Sequence, residues 1–330
     1  MGDVRGAVSG EASRILITGA GGFIGRAAVA EARARGLEVV ALVRKSVAPE
    51  WHDDDGVTVA EADLSEPSSL LPLRRALRGC DAVIHAAAHL GGDGAAIEAD
   101  TLAATRHLLA ALPKEIRLVL VSSIAVYDLS KRAPGDAVTE RSPLNRPGHA
   151  QDAYAESKLA QEVLCQGALQ PLWLMRPGAV WGPGRTWHAL NGFWAGPLQV
   201  TLASDGELPL VHVKHVARAL VSAALTDPQG MTALNVIDDD LPTRARFVIA
   251  HRRAAGWPRV AIDVPWTLWL RLTRGLKRFE RRLPGLLREP VLRARIMPLR
   301  WPNTALRASL GGHDDATFEA LLKRTLESET

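Results

Sequence analysis

Six short aliphatic runs, RILIT (14–18), EVVALV (38–43), VTVAE (57–61), AVIH (82–85), LVLVS (118–122) and LWLMR (172–176), alternate with longer helical patterns. Such runs lack the polar alternation of a half-exposed strand and match strands buried on both faces. The stretches between them, at 22–35, 65–78, 95–112 and 153–166, carry helical patterns. Strand–helix alternation of this kind predicts an α/β fold, a doubly wound parallel sheet of Rossmann type with right-handed crossovers. A chain of 330 residues is also too long for one small core.

The pattern changes after about residue 177. Pro, Gly and Trp become dense in GAVWGPGRTWHALNGFWAGP (178–197), which predicts loops and cavity walls rather than sheet. VHVKHVARALVSAAL (211–225) reads as a strand end and a helix returning to the sheet, and ALNVI (233–237) as another strand. Residues 243–330 read as mainly helical. These patterns divide the chain into a flexible tail (1–13), a sheet domain (14–180, with later elements from about 208–237) and a smaller, mostly helical substrate domain (181–207 and 238–330).

Charge is uneven. Net charge is +4, yet residues 251–300 hold 13 Arg and Lys against Asp263, Glu280 and Glu289. That surface suits a phosphate-bearing ligand or an acidic partner, or simply a solvated helical face; no nucleic-acid partner is expected. Within it, Trp266–Arg288 places apolar residues at 266, 269, 270, 272, 276, 279 and 283 among Arg and Lys. Peripheral contact with anionic lipid fits this composition, and so does an ordinary helix packed inward. Cys80 and Cys165 lie far apart among hydrophobic neighbours, which suggests buried thiols in a reducing compartment. Residues 1–13 lack the apolar core of a signal peptide, and no apolar run reaches the roughly 18 residues needed to span a bilayer, so a soluble, cytoplasmic protein is expected.

The first aliphatic run leads into TGAGGFIG (Thr18 to Gly25), with Gly19, Gly22 and Gly25 spaced GxxGxxG around Phe23 and Ile24. Glycine at the turn lets the backbone approach a pyrophosphate, and the last glycine lets helix and strand pack closely. Free N–H groups and the helix dipole then hold the anion. At the end of the second run, where a carboxylate would meet a free ribose 2′-hydroxyl, the chain has Arg44 and Lys45. Cations there suit a 2′-phosphate and favour NADP(H) over NAD(H).

Tyr is scarce, with only Tyr127 and Tyr154, yet Tyr154 and Lys158 form YxxxK on a predicted helix, one turn apart on the same face. An ammonium close by, with a positively charged nicotinamide, would favour the phenolate of a group whose pKa is ordinarily near 10. Ser123, at the end of the fifth run, is placed to orient a substrate oxygen as its proton moves to or from Tyr154. Tyr127 reads as a packing residue of the cleft wall.

Together, TGAGGFIG, Asp63-Leu64, HAAA (85–88), SSIAVY (122–127), YAESK (154–158), RPGAVWGPG (176–184) and VHVKHVA (211–217) resemble an extended short-chain dehydrogenase/reductase of the NAD(P)-dependent epimerase/dehydratase group. The resemblance covers residues 14–217. It implies that Ser123, Tyr154 and Lys158 are catalytic, with Lys158 also holding the nicotinamide ribose. It further implies that Asp63 and Leu64 flank the adenine, that Ala86 and Ala87 lie along the cofactor, and that Arg176 and Pro177 end a strand beside the nicotinamide. A homodimer is implied by the same analogy.

Departures from the family pattern narrow the reading. The helix after HAAA has Asp100, Ala104, Thr105 and His107 in place of Asn-x-x-Gly-Thr-x-Asn, which argues against a polar relay there. Ile124-Ala125 replaces the acid pair of a nucleotide-sugar dehydratase and cannot eliminate water. His85, His89, His212 and His215 offer no three ligands on one face by spacing, so no metal is expected. Trp181, Trp187 and Trp194 fit either a substrate wall or a domain core.

These signals predict an oxidoreductase or epimerase that moves a hydride at a carbinol or ketone carbon of a small molecule. A nucleotide sugar is the first substrate expectation and a hydrophobic, steroid- or isoprenoid-like compound the second. A non-catalytic dinucleotide sensor would need the glycines and not the Ser–Tyr–Lys set.

Overall fold

Each aliphatic run forms a strand: β1 (Arg14–Thr18), β2 (Glu38–Val43), β3 (Val57–Glu61), β4 (Ala82–His85), β5 (Arg117–Val121) and β6 (Leu172–Pro177). The computed structural model describes residues 13–45, 47–91, 93–283 and 285–329; apart from Ser13, the expected tail at 1–13 lies outside them. Helices α1 (Phe23–Ala34), α2 (Leu70–Ala76), α3 (Gly94–Ile97), α4 (Ala104–Ala111) and α5 (Ala153–Gln166) connect the strands, and a π-helical stretch, Glu98–Ala103, joins α3 to α4.

Further along lie β7 (Ala179–Trp181), β8 (Gly192–Ala195), β9 (Leu198–Ala203), β10 (Leu210–His212), α6 (Val213–Leu225), β11 (Met231–Val236), α7 (Arg244–Ala255) and β12 (Val260–Pro265). The chain ends in α8 (Trp266–Gly275), α9 (Glu289–Ile296), α10 (Thr304–Leu310) and α11 (Phe318–Glu327). The main sheet has seven strands in the order β11-β6-β5-β4-β1-β2-β3, all parallel. Strand order reverses between β1 and β4, where doubly wound sheets open a crevice at the carboxyl ends of their strands.

Burial on both sheet faces explains the unbroken aliphatic runs of β1, β2, β4, β5 and β6, whereas β3 lies at the sheet edge and is partly exposed, contrary to the expectation from its sequence. Ile15 and Ile17 of β1 pack in one layer with Ala28 and Val29 of α1 and with Val216 and Leu220 of α6. Leu16 points the other way, into a layer with Leu73, Leu108 and Cys165. Both cysteines are free and buried.

Two further expectations change. The stretch at 178–197 is not all loop: β8 and β9 form an antiparallel hairpin that β12 extends in parallel into a three-stranded sheet. Trp194 pairs with Gln199 and Phe193 with Val200, so aromatic residues here act as strand residues. β12 is a strand within 243–330, a region that is otherwise mainly helical, as expected. Finally, the strand end at 211 does not rejoin the main sheet, since β10 pairs with β7.

Candidate active site

The glycine turn lies over the crevice between β1 and β4. Gly19 has φ +63°, and a Cβ there would come within 2.8 Å of the Ala87 nitrogen. At Gly25 a Cβ would fall 2.1 Å from the Gly19 carbonyl oxygen, so any side chain would push α1 off the turn. The result is a groove of about 480 Å³ whose lining includes Gly19, Gly22, Arg44, Lys45, Asp63, Leu64, Ala86, Ala87 and Asp100. Phe23 and Ile24 open α1 beside it, and Arg185 lies 4.8 Å from the Phe23 ring centroid. Glycines that open a turn to backbone approach, a helix N-terminus and a cationic rim fit a dinucleotide phosphate chain. Asp63 accepts from the Ser65 hydroxyl (2.7 Å), which keeps its carboxyl below the ordinary range. Arg44 reaches across the groove to Asp100, at 3.2 and 3.3 Å. The partner of Arg44 therefore comes from the π-helical turn, 56 residues away.

The candidate catalytic residues Ser123, Tyr154 and Lys158 come together where β5 ends. Ser123 closes the strand in extended conformation, and its Oγ accepts the Ala125 N–H at 3.1 Å, starting a short 3₁₀ turn. Asn145 and Gln151 hold that turn by donating to the Ala125 carbonyl at 3.1 and 2.8 Å. Asp152 caps α5 by accepting the Ala155 N–H, placing Tyr154 in the first turn and Lys158 one turn on. Burial raises the Tyr154 pKa above 10, although a hydrogen bond from Ser123 opposes the shift. Lys158 is not among the groups that set this balance. The ammonium is directed elsewhere: Lys158 Nζ donates to the Val121 carbonyl (2.8 Å) and to Gln161 Oε1 (2.9 Å). Burial lowers the Lys158 pKa to about 8.

Behind Lys158 runs a closed polar chain. Gln161 Nε2 donates to Thr105 Oγ1 (2.9 Å), and Thr105 donates its own proton to the Thr101 carbonyl (2.6 Å). Thr105 Oγ1 must then accept from His85 Nε2 (2.9 Å), leaving His85 Nδ1 to accept from Thr18 (2.7 Å). Burial drives the His85 pKa down to about 3, so the ring is neutral and this tautomer is the consistent one. Thr105 and Gln161 thus supply a polar connection that the loss of the family asparagines had argued against.

The pattern of the NAD dependent epimerase/dehydratase family matches residues 15–236. The chain belongs to that family. Its members are NAD(P)-dependent epimerases and reductases, and this chain is an enzyme of that kind. Among curated relatives, a ceramide reductase of Caulobacter vibrioides is 29% identical over 253 residues, covering 72% of this chain and 67% of that protein. A 2-alkyl-3-oxoalkanoate reductase of Shewanella oneidensis is 26% identical over 285 residues, covering 79% and 71%. Among solved structures, the Thermus thermophilus UDP-glucose 4-epimerase in complex with NAD superposes with a TM-score of 0.68 at 23% identity, covering 95% of this chain and 98% of that one.

In this epimerase/dehydratase-family chain, Arg176 is engaged inside the protein. Its Nε and Nη2 meet both carboxylate oxygens of Glu162, at 2.9 and 2.7 Å, and Nη1 donates to the Tyr127 hydroxyl at 3.0 Å. Tyr127, 1% exposed, donates in turn to Asn235 Oδ1 at 2.7 Å. Burial opposes the Arg176 charge, but Glu162 raises its pKa on balance. Arg176 and Pro177 do end the strand β6, while the guanidinium itself braces β6 against α5. Glu162 continues the Tyr154–Lys158 face by one more turn, a spacing that could have revealed it.

The histidines also find partners invisible to spacing. His215 Nδ1 lies 2.8 Å from Asp238 and 3.3 Å from Asp314, a trio able to ligate a cation. Arg307 already places a guanidinium 2.9 Å from Asp314, so the cluster reads as a charge-paired junction between α6 and the C-terminal segment. Trp181 is 1% exposed and packs against His212 and Phe318, and Trp187 lies among Trp194, Phe247, His251 and Trp257. Of the two readings of these tryptophans, domain core holds for Trp181 and Trp187.

Proposed function

We propose that the protein is an NADPH-dependent reductase of a ketone carbon, with Tyr154 as proton donor. One observation carries the reading: the Tyr154 phenol stands against Ser123 at the end of β5, placed to protonate a carbonyl oxygen held there, and the names of the curated relatives are those of reductases. Reduction begins with such an acid, whereas epimerisation begins with a base that removes the carbinol proton. A nicotinamide dinucleotide, when bound, supplies the hydride. The chain does the rest. Ser123 orients the carbonyl oxygen, Tyr154 protonates it, and Lys158 stands behind them with one ammonium proton left for the ribose once Val121 and Gln161 have taken two.

NADPH is favoured over NADH by Arg44 and Lys45 on the groove rim. Arg44→Asp should weaken NADPH affinity about tenfold or more and spare NADH. Equal affinity of the wild type for both cofactors would remove the argument. Lys158 adds a pH dependence: its cation is present below about 8 and lost above it, so NADPH binding weakens as pH rises through that value. Gln161→Leu removes one of two acceptors of the buried ammonium, and the loss should begin about one pH unit lower. An unchanged binding profile in a fluorescence titration would overturn that role for Gln161.

For the substrate, the names of the ceramide and 2-alkyl-3-oxoalkanoate reductases support a ketone on a long-chain compound. A nucleotide sugar is the second reading. It is favoured by a cavity of about 430 Å³ where Lys277, Arg288 and Arg293 face Tyr127 and Gln151, cations suited to a diphosphate. Turnover of NADPH with a panel of long-chain 3-oxo compounds and 4-keto nucleotide sugars decides between them. Failure to reduce any ketone while NADPH binds would refute the reductase reading.

A further inference from the structure

Beyond the reaction lies a surface that the catalytic set does not use. Helix α8 is amphipathic, with two apolar sides. Trp266, Leu270 and Thr273 face inward and are buried. On the outward side Leu268 and Leu272, one turn apart, are 56% and 45% exposed, and Phe279 in the following 3₁₀ turn is 44% exposed. Arg271, Arg274, Lys277 and Arg278 are exposed among them, and the Arg278 guanidinium lies 4.6 Å from the Phe279 ring centroid. Glu289 holds Arg274 at 3.3 Å, and Asp263 is an exposed acid on the preceding strand. Over residues 251–300 the balance remains 13 cations to three carboxylates.

We propose that the outward face of α8 and the turn after it form a docking surface for an anionic lipid bilayer. Scattered exposed leucines need no explanation, but leucines one turn apart on a helix rimmed by guanidinium groups have a specific physical match. The apolar side chains enter the boundary between headgroups and acyl chains, while long Arg and Lys side chains extend to the phosphates. A second copy of the chain fits less well. A two-fold contact centred on this face would set Arg271, Arg274, Lys277 and Arg278 against their own copies. Among the described residues no helix is long and apolar enough to cross a membrane, so the contact is one of lying on the surface. The surface stands whether the substrate is a long-chain ketone or a nucleotide sugar.

The test is co-sedimentation of the full chain with phosphatidylcholine vesicles, with and without about 30 mol% phosphatidylglycerol, at low and high salt. Binding is expected only with the anionic vesicles and only at low salt. A variant with Leu268→Ser and Leu272→Ser, and a second with Arg271→Glu and Arg278→Glu, should each lower partitioning about tenfold or more while binding NADPH as the wild type does. Equal sedimentation with neutral and anionic vesicles overturns the proposal. So does a dimer in size-exclusion chromatography that the leucine variant dissociates, since the face would then belong to a second copy.

Discussion

Tyr154→Phe should lower the rate of ketone reduction about 10³-fold and leave NADPH affinity within about twofold of wild type. The substitution removes one oxygen and keeps the ring, so packing around α5 is nearly unchanged. The proton donor is lost, and with it the acceptor for the Ser123 hydroxyl. A positioned acid contributes roughly 10²- to 10⁴-fold, and 10³-fold corresponds to about 4 kcal/mol of barrier. Ser123 alone cannot replace it, because a serine hydroxyl is a far weaker acid than a phenol. Single-turnover rates at saturating NADPH are the measurement. If the variant keeps a tenth of wild-type activity or more, Tyr154 is not the proton donor.

The second large effect concerns stability. Glu162→Gln should destabilise the fold by about 3 to 5 kcal/mol, because the Arg176 guanidinium is left buried with no counterion. Glu162 is 0% exposed and Arg176 3%, so water cannot replace the lost charge. Ser122 also loses a charged acceptor, now at 2.5 Å. Arg176→Met should cost a similar amount from the other side. The pair Glu162→Leu with Arg176→Met should cost less than the two single changes together, since no unpaired charge remains. Urea unfolding monitored by tryptophan fluorescence provides the comparison. Single variants within about 1 kcal/mol of wild type would show that the buried ion pair contributes little.

Which parts of the site were legible in the sequence follows from the range of the interactions. The glycine turn, Arg44 and Lys45, Ser123, and the Tyr154–Lys158 spacing are local signals, each set within one turn, strand end or helix face. The roles of Gln161 and Thr105 carry no such signal, because their contact spans 56 residues of chain, and the Lys158 contact with the Val121 carbonyl spans 37; Glu162 has the helix-face spacing, but its partner Arg176 lies 14 residues on in another element. The hairpin of β8 and β9 was hidden by Gly, Pro and Trp, which read as loop. There the strand propensity of Phe193 and Trp194 is realised by pairing with β9, although the flanking Gly and Pro point to a loop.

By itself the sequence determined the parallel doubly wound sheet, the glycine turn and the candidate catalytic triplet. It could do so because hydrophobic period, glycine and one-turn spacing are properties of neighbouring residues. Only the tertiary structure decided the surroundings of these groups. Lys158 donates to Val121 and Gln161, and burial pushes the Tyr154 pKa up and the Lys158 pKa down, because partners and desolvation depend on every element packed around a group and on no short stretch of chain.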